Sequence, residues 1–367
     1  MGQKYKKNII SEAGPKANLL LDQDCLLYAT LGVTSKDTLD TIGKVGTNET
    51  ENQRMAQAKA LNKAVTDSIN GSLLSVHSPL KSRYLSAYNC SQYYFQNGNK
   101  LHTHRCRQRT CLVCDKIRVS KALRQYDQAF KNMAEPYMVT LTFGRIENLG
   151  RQNAYFGSEV THSSLREIFK SLSKDLSDVM RSVKISLKRS GREDYLVNAV
   201  SAFECSINPI KRKPFHPHFH MVVDGYDKAV MIVDAWIKNQ NRGGHSIVNK
   251  AGQDITKAYD LKDVFKYITK MLSKHDFSPV LFDAVQRAVS GQHTIKNYGL
   301  CKPAKVKVND NDLITADWLP DQVEVYKWHR KKYDYFDLEG NAMTGLQLTD
   351  DDRYLIKNKK YRENPKA

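Results

Sequence analysis

The sequence predicts an α+β protein in which short strands alternate with amphipathic helices. The clearest strand covers 215–224, reads FHPHFHMVVD, and has Pro217 near its start, where proline is tolerated. A second strand is predicted over 195–207, and the basic turn 208–213 joins the two as an antiparallel hairpin. Apolar residues recur at helical spacing over 164–187 and 261–272, which supplies the helices.

Length and charge restrict the classes of protein that this chain can belong to. The 367 residues are enough for two or three domains, and 57 Lys and Arg against 39 Asp and Glu give a net charge of +18. Such a balance favours a polyanionic partner, which is nucleic acid or an anionic membrane. The sequence has no apolar run of the roughly 18 residues that cross a bilayer, and its N-terminus lacks a secretory apolar core. We therefore expect a soluble, cytoplasmic protein that makes no membrane contact.

Four segments are expected along the chain. Residues 1–80 form an N-terminal arm, disordered in part, with a helix over 51–69 that Asn70 and Gly71 should close. A cysteine-rich segment follows at 81–130, and the main domain with the histidine strand at 131–300. Residues 301–367 form a basic extension, in which the aromatic and cationic run 326–333 suits either nucleic acid or an ordinary packed segment.

The cysteines indicate metal binding rather than disulfides. Seven cysteines in a chain without a signal peptide argue against a disulfide framework, and Cys106, Cys111 and Cys114 lie within nine residues. This spacing predicts a tetrahedral zinc site with Cys90 as the fourth ligand, although His102 or His104 could replace it. Unligated buried cysteines are the plain alternative.

Several arginine and lysine residues lie close to these cysteines in the sequence. A small, rigid zinc-binding segment that presents such cations is suited to contact phosphates. An ordinary solvated surface is the alternative, although such a surface more usually mixes both signs of charge. The residues expected to contact DNA are Arg105, Arg107, Arg109, Lys116 and Arg118.

The remaining elements follow from apolar periodicity and from turn residues. Helices are predicted over 115–133, over 164–187 from a capping box at Ser164, over 230–237 and over 279–289. Strands are predicted over 137–143, with Thr140 and Thr142 on the polar face, over 246–248 and over 293–298.

The histidine strand carries half of a second metal site. Side chains alternate along a strand, so His216, His218 and His220 share one face. Glu204 lies on the polar face of the neighbouring predicted strand. Two imidazoles and a carboxylate suit Mg²⁺ or Mn²⁺ with positions left for substrate oxygens. Surface histidines and an exposed edge glutamate are the alternative.

A helix over 261–272 presents a third group of polar residues. Asp263, Tyr267 and Lys270 stand at positions i, i+4 and i+7 and therefore share one face. A cation near the tyrosine hydroxyl favours the phenolate, and a nearby carboxylate can accept a proton or hold water. Half-buried packing is the alternative for the tyrosine.

Taken together, these motifs resemble those of the HUH endonucleases, and within them the rolling-circle replication initiators of small plasmids. The segment 139–142 (VTLT) is similar to the first motif, 216–220 (HPHFH) matches the second, and 266–270 (KYITK) matches the third, Tyr-x-x-Lys. The cysteine cluster is similar to a segment that this branch carries ahead of its first motif. The resemblance covers roughly 90–302.

The resemblance implies a ferredoxin- or RRM-like core, an antiparallel sheet with helices on one face, preceded by a small zinc-binding segment. It implies that His218, His220 and Glu204 hold a divalent ion at the scissile phosphate. Tyr267 would then attack, which leaves a 5′-phosphotyrosyl link and a free 3′-hydroxyl for a host polymerase, with a host helicase as a further partner. Asp263 stands where related initiators have a glutamate that helps to terminate the round.

Three other functions remain open at this point. Transposases and conjugative relaxases share the HUH motifs, but most relaxases carry a long helicase region, and single-tyrosine transposases are usually shorter and lack the cysteine segment. A non-enzymatic, zinc-binding DNA regulator would leave Tyr267 merely structural.

Overall fold

A computed structural model describes residues 51–97, 100–147, 157–242, 248–259, 277–305 and 324–358. The chain divides into two compact units, which are described separately below. The first unit lies within Met1–Ser120 and Lys307–Ala367, and the second within Lys121–Val306.

Seven helices and nine strands are described in these ranges. The helices are α1 (Glu51–Leu73), α2 (Lys81–Tyr88), α3 (Leu112–Lys131), α4 (Gly157–Arg189), α5 (Tyr226–Gln240), α6 (Pro279–Val289) and α7 (Asp350–Asn358). The strands are β1 (Tyr93–Asn97), β2 (Lys100–His102), β3 (Pro136–Thr142), β4 (Ala199–Ile207), β5 (Phe215–Asp224), β6 (Asp254–Lys257), β7 (Ile295–Tyr298), β8 (Glu324–His329) and β9 (Asp334–Phe336).

The first unit is organised on an antiparallel sheet of order β2-β1-β8-β9. One face of this sheet is aromatic and buried. The ring centroid of Tyr335 lies 4.8 Å from those of Tyr94 and Trp328, in edge-on and tilted packing that favours attraction between rings. We call this buried aromatic face of the sheet its inner face and the opposite face its outer face.

A buried ionic network ties α1 to this sheet. Asp67 forms an ion pair with Lys63, whose side chain is fully buried, and accepts hydrogen bonds from Trp328 Nε1 at 2.8 Å and Arg330 Nε at 3.2 Å. Burial lowers the pKa of Lys63 and raises that of Asp67. Each charge is tolerated because the other is present.

The second unit is organised on an antiparallel sheet of order β6-β3-β5-β4-β7, with the histidine strand β5 at its centre. Helices α4 and α5 pack on the face that carries Leu141, Phe219 and Met221, and Leu176 and Trp236 are fully buried in that layer. The antiparallel α+β class predicted from the sequence is confirmed.

Helix α1 departs from the sequence prediction at its end. We expected Asn70 and Gly71 to close it, but the helix continues to Leu73. The Asn70 amide donates to the carbonyl oxygens of Thr66 at 2.8 Å and Thr110 at 2.9 Å, so it stabilises the helix interior instead of capping it. A Cβ at Gly71 would lie 3.4 Å from the ring of Tyr88, an ordinary contact, so this glycine continues the helix next to that ring.

The C-terminal residues also differ from the extension expected over 301–367. Strand β8 pairs with β1, with Tyr93 opposite Lys327, so 324–358 belong to the same unit as the cysteine segment. Residues 1–50 of the expected arm and most of the expected strand at 246–248 lie outside the described residues. In the described ranges, no helix has the length and apolar character needed to cross a membrane.

Candidate metal centres

The first centre forms where β3, β4 and β5 lie side by side. In the ladder, His218 stands opposite Glu204 on β4 and opposite Thr142 on β3, while His220 stands opposite Thr140. Because side chains alternate across a sheet, these residues share one face, opposite the face covered by α4 and α5. The expectation that Glu204 lies beside the histidines is confirmed.

The three side chains converge on a single point. Glu204 Oε2 lies 3.3 Å from the Nε2 atom of His218 and 3.3 Å from that of His220. His218 Nδ1 donates to the carbonyl oxygen of His216 at 2.9 Å, which leaves its Nε2 as the lone-pair nitrogen. The Thr140 hydroxyl lies 3.2 Å from His220 Nδ1 and orients that ring. Such contacts to the second ring nitrogen are typical of metal-binding histidines.

Burial and charge at this centre suit a cation. Each of the three side chains is about 10% exposed, and Glu204 Oε2 is fully enclosed, although no contact to it has hydrogen-bond geometry within the described ranges. Burial alone would raise the pKa of Glu204, but the facing imidazoles outweigh it and lower that pKa to about 2. The ligand atoms lie within 4.8 Å of one another, so Glu204, His218 and His220 could hold a metal ion.

His216 shares the strand face with these histidines but does not join the group. Burial, together with the neighbouring His218 and Arg145, lowers the pKa of His216 to about 4, so its ring is neutral at neutral pH. Its backbone carbonyl rather than its ring serves the centre, by fixing His218.

Sequence reasoning placed Thr140 on the polar face of its strand without giving it a role. Alternation along β3 was the signal that could have found it, because it puts Thr140 on the histidine face. Gln253, by contrast, has no local signal. Its amide oxygen accepts from Thr142 N at 2.8 Å and its amide nitrogen donates to Thr142 Oγ1 at 3.1 Å, which holds the rim of the centre.

The second centre consists of Cys90, Cys106, Cys111 and Cys114, all buried, with sulfur atoms within 4.8 Å of one another. Cys114 Sγ lies 3.6 Å from Cys90 Sγ and 3.7 Å from Cys106 Sγ. A disulfide requires about 2 Å, whereas tetrahedral zinc with bonds of about 2.3 Å sets the sulfurs roughly 3.8 Å apart. The four cysteines could therefore hold zinc, and Cys90 occupies the fourth position that the sequence left open against His102 and His104.

Backbone amides point at these sulfurs. The amide of Cys106 donates to Cys90 Sγ at 3.4 Å, and the amide of Arg107 donates to Cys114 Sγ at 3.3 Å. Ser91 and Arg107, each directly after a cysteine, have φ of 53° and 57°, a region that non-glycine residues rarely adopt. Such backbone persists where its surroundings hold it, as the tight turns around a metal do.

The four thiols also act as one titrating group. Hydrogen bonds from Cys106, Cys111 and Cys114 lower the pKa of Cys90 well below its usual range, while hydrogen bonds with Cys106, Cys114 and Cys90 raise that of Cys111. The pKa of Cys114 is lowered as well, so hydrogen bonds within the group favour thiolates at Cys90 and Cys114 and keep the proton on Cys111. Only a cation at the centre allows all four to lose their protons, which is the condition that zinc provides.

The cations expected to contact DNA surround this cysteine centre. Arg107 and Arg109 are exposed, and Arg105, Lys116 and Arg118 are half-buried. Arg118 pairs with Asp115 at 2.5 Å and donates to the carbonyl oxygen of Arg107 at 3.2 Å. These residues thus lie on the segment that contains the cysteine centre. Their contact with DNA remains a prediction.

The third group of sequence-predicted residues cannot be placed. Asp263, Tyr267 and Lys270 all lie in 260–276, outside the described residues. Their helix and their position relative to the histidines remain predictions from the sequence.

Comparison with known proteins gives no assignment: no family model, no curated protein and no solved structure matches this chain. The resemblance to HUH endonucleases therefore rests on the short motifs of the sequence. What the chain does is a matter for proposal and experiment.

Proposed function

We propose that this chain is a site-specific, single-strand DNA endonuclease of the HUH type that initiates rolling-circle replication of a small plasmid. The observation that carries the proposal is the centre of Glu204, His218 and His220, where two imidazoles and a carboxylate meet on the sheet face opposite the helices. This is the arrangement that the resemblance requires, and the pairing of β4 with β5 produces it.

The donor set favours Mg²⁺ or Mn²⁺ as the ion. Three protein ligands leave about three of six octahedral positions for phosphate oxygens and water. Bound there, the ion would neutralise charge on a nonbridging oxygen of the scissile phosphate. Because the pKa of Glu204 is about 2, its carboxylate is ionised and ready to bind at neutral pH.

Tyr267 is the proposed nucleophile. Its oxygen forms a bond to phosphorus while the bond to the 3′-oxygen breaks, and that oxygen leaves as a hydroxyl after taking a proton. The products are a 5′-phosphotyrosyl link and a 3′-end for the host polymerase. Support comes from the match of 266–270 to Tyr-x-x-Lys and from the shared helical face of Asp263, Tyr267 and Lys270.

The cysteine centre is proposed to bind zinc for structure alone and to present Arg105, Arg107, Arg109, Lys116 and Arg118 to the phosphates of the double-stranded origin. Thiolates favour a soft, closed site, which separates this centre from catalysis. The net charge of +18 supports DNA as the partner. A host helicase is the expected partner once the strand is nicked.

A denaturing gel of the full chain with end-labelled origin oligonucleotide tests the proposal. With Mg²⁺ or Mn²⁺, the wild type should shift the 3′-labelled strand and not the 5′-labelled one. Tyr267→Phe should give no shift, and Tyr259→Phe, which alters an exposed tyrosine eight residues earlier in the sequence, should behave as the wild type. Replacing His218 and His220 together by Ala should abolish nicking and leave most DNA binding, because basic residues elsewhere supply most of the affinity.

Contrary outcomes are equally specific. An adduct that persists in Tyr267→Phe would move the nucleophile elsewhere, and normal nicking by the histidine double variant would exclude this metal site. Origin binding without any adduct under either metal would favour a non-enzymatic zinc-binding regulator. Adducts formed at the ends of a mobile element or at a transfer origin, and not at a plasmid replication origin, would favour a transposase or a relaxase.

A further inference from the structure

The outer face of the sheet β2-β1-β8-β9 combines aromatic rings with cations. In the ladder, Tyr93 stands opposite Lys327, and Lys327 stands opposite Phe336, so these three share one row on the outer face. Phe95 follows two residues after Tyr93 on the same face, with its ring centroid 6.4 Å from that of Tyr93. Tyr93 is 43% exposed, and Phe95 and Phe336 are half-buried.

Cationic side chains lie over and beside these rings. The Lys332 ammonium lies 4.5 Å from the ring centroid of Phe336, and that of Lys327 lies 5.9 Å from the centroid of Tyr93. His329 is exposed on the same face. Glu324, in contrast, lies on the inner face and accepts from the Tyr326 hydroxyl at 3.0 Å. Asp334 stands opposite His329 on the outer face, but it is buried and accepts from the Thr344 hydroxyl at 2.7 Å. The exposed charges described on this face are therefore those of Lys327 and Lys332, which suit phosphate.

The strand that carries Lys327 is anchored from its inner side. Tyr326 and Trp328 alternate with the outer residues and are buried on the inner face, where Trp328 Nε1 donates to Asp67. A platform held in this way loses little conformational entropy when a ligand binds. Within β8, strand alternation thus packs Tyr326 and Trp328 inside and leaves Lys327 and His329 outside, whereas Arg330, just beyond the strand, turns inward to Asp67.

We propose that this outer face binds single-stranded DNA, with bases stacked on Tyr93, Phe95 and Phe336 and phosphates held by Lys327 and Lys332. Unpaired bases offer the flat faces that exposed rings bind, whereas a duplex hides them. Lysine ammonium groups are suited to phosphate, while recognition of RNA draws in addition on contacts to the 2′-hydroxyl. No residue of the metal centres takes part, so this binding does not depend on the nicking activity.

Fluorescence anisotropy with a short labelled oligothymidylate, without added Mg²⁺ or Mn²⁺, tests the proposal on the full chain. Tyr93→Leu and Phe336→Leu should each weaken binding by about 5- to 150-fold, since one base–aromatic stack is worth that much. Tyr93→Phe should bind as the wild type because it keeps the ring. The matched control is Tyr354→Leu, which removes a ring that is 62% exposed on α7 of the same unit.

Two further measurements distinguish binding at this face from binding at other basic surfaces of the chain. Lys327→Ala should reduce the salt dependence of binding by about 0.7 in slope, the value for one phosphate on a single strand. Photo-crosslinking with 5-iododeoxyuridine should attach DNA to peptides that contain Tyr93, Phe95 or Phe336.

The proposal is overturned if both leucine variants bind oligothymidylate as tightly as the wild type, or if crosslinks map only to other segments. Equal loss of duplex and single-strand binding in those variants would also overturn it, because stacking requires unpaired bases. Tighter binding of oligouridylate RNA than of the matched DNA would reject DNA as the ligand.

Discussion

Replacing Cys111 by serine should release the metal from the cysteine centre. Cys111 is fully buried, and its sulfur lies within 4.8 Å of the other three. A serine hydroxyl stays protonated at neutral pH and is a poor zinc ligand, so the variant keeps three of four donors. Because serine has nearly the same volume as cysteine, a loss of zinc in this variant would reflect the lost ligand rather than a packing defect.

The expected effect on affinity can be estimated from the four-sulfur site. Structural zinc contributes about 10–16 kcal/mol in small metal-dependent folds, so one of four thiolates accounts for roughly 2.5–4 kcal/mol. That loss weakens zinc binding by about two to three orders of magnitude. Total stability of a domain is only about 5–15 kcal/mol. Removing the zinc altogether should therefore unfold the first unit around its cysteines.

Elemental analysis and hydrogen exchange would measure both consequences. Wild-type protein purified without chelator should contain about one zinc per chain, as one four-thiolate site requires. Adding a strong chelator should expose the amides of β1 and of 104–114 to exchange, while those of β3 and β5 stay protected. Cys205→Ser is the control, because Cys205 is a free cysteine on β4 outside the group.

Two results would refute the reasoning. If Cys111→Ser retained zinc with unchanged affinity, the sulfur of Cys111 would not be a ligand. If wild-type protein contained no zinc, or if chelation left exchange in 104–114 unchanged, the cluster would be an ordinary buried group of thiols.

Three other predictions concern the ionic network, the histidine centre and the termination step. Asp67→Ala should lower the free energy of unfolding by about 3–5 kcal/mol in urea titration, because Lys63 would be left buried without its counter-charge. In metal-free protein, Glu204→Gln should make the free energy of unfolding less dependent on pH in the acid range. The pKa of Glu204 is about 2 in the folded chain against an ordinary 4.5, so its carboxylate adds stability above pH 4.5 that is lost as the pH falls toward 2. The difference in unfolding free energy between wild type and variant should shrink by about 3 kcal/mol over that range. If the nicking proposal holds, Asp263→Ala should cleave once and accumulate the Tyr267 adduct on the denaturing gel; prompt release of the adduct would remove Asp263 from termination.

The histidine centre could be predicted because its signals are local. Alternation along one strand puts His218 and His220 on a single face, and the short turn 208–213 predicts an antiparallel neighbour carrying Glu204. The spacing of three cysteines likewise predicts metal binding. The spacing could not identify the fourth ligand. Cys90 lies 16 residues before Cys106, outside any short motif, and the fold alone brings it to the other three cysteines.

The pairing of β1 with β8 had no comparable signal. More than 200 residues separate Tyr93 from Lys327, and strand partners at such distance are chosen by packing rather than by turn chemistry. The same is true of Lys63, whose place in the sequence gives no sign that its side chain is fully buried against Asp67. The prediction that Asn70 closes α1 was wrong for a related reason. Its side-chain amide donates to two buried backbone carbonyl oxygens, one of which belongs to a residue distant in the sequence.

The order of the two units along the chain has a consequence for synthesis. The second unit is one uninterrupted stretch, Lys121–Val306, so all of it has been translated before β8 of the first unit is made. The first unit is split around that insertion, and β1 has no β8 to pair with until residues 324–329 have been made. Its cysteines are thus translated some 200 residues before their sheet is complete. If Cys90, Cys106, Cys111 and Cys114 bind zinc as proposed, zinc bound in that interval would hold the early half in a conformation that can accept its late strands.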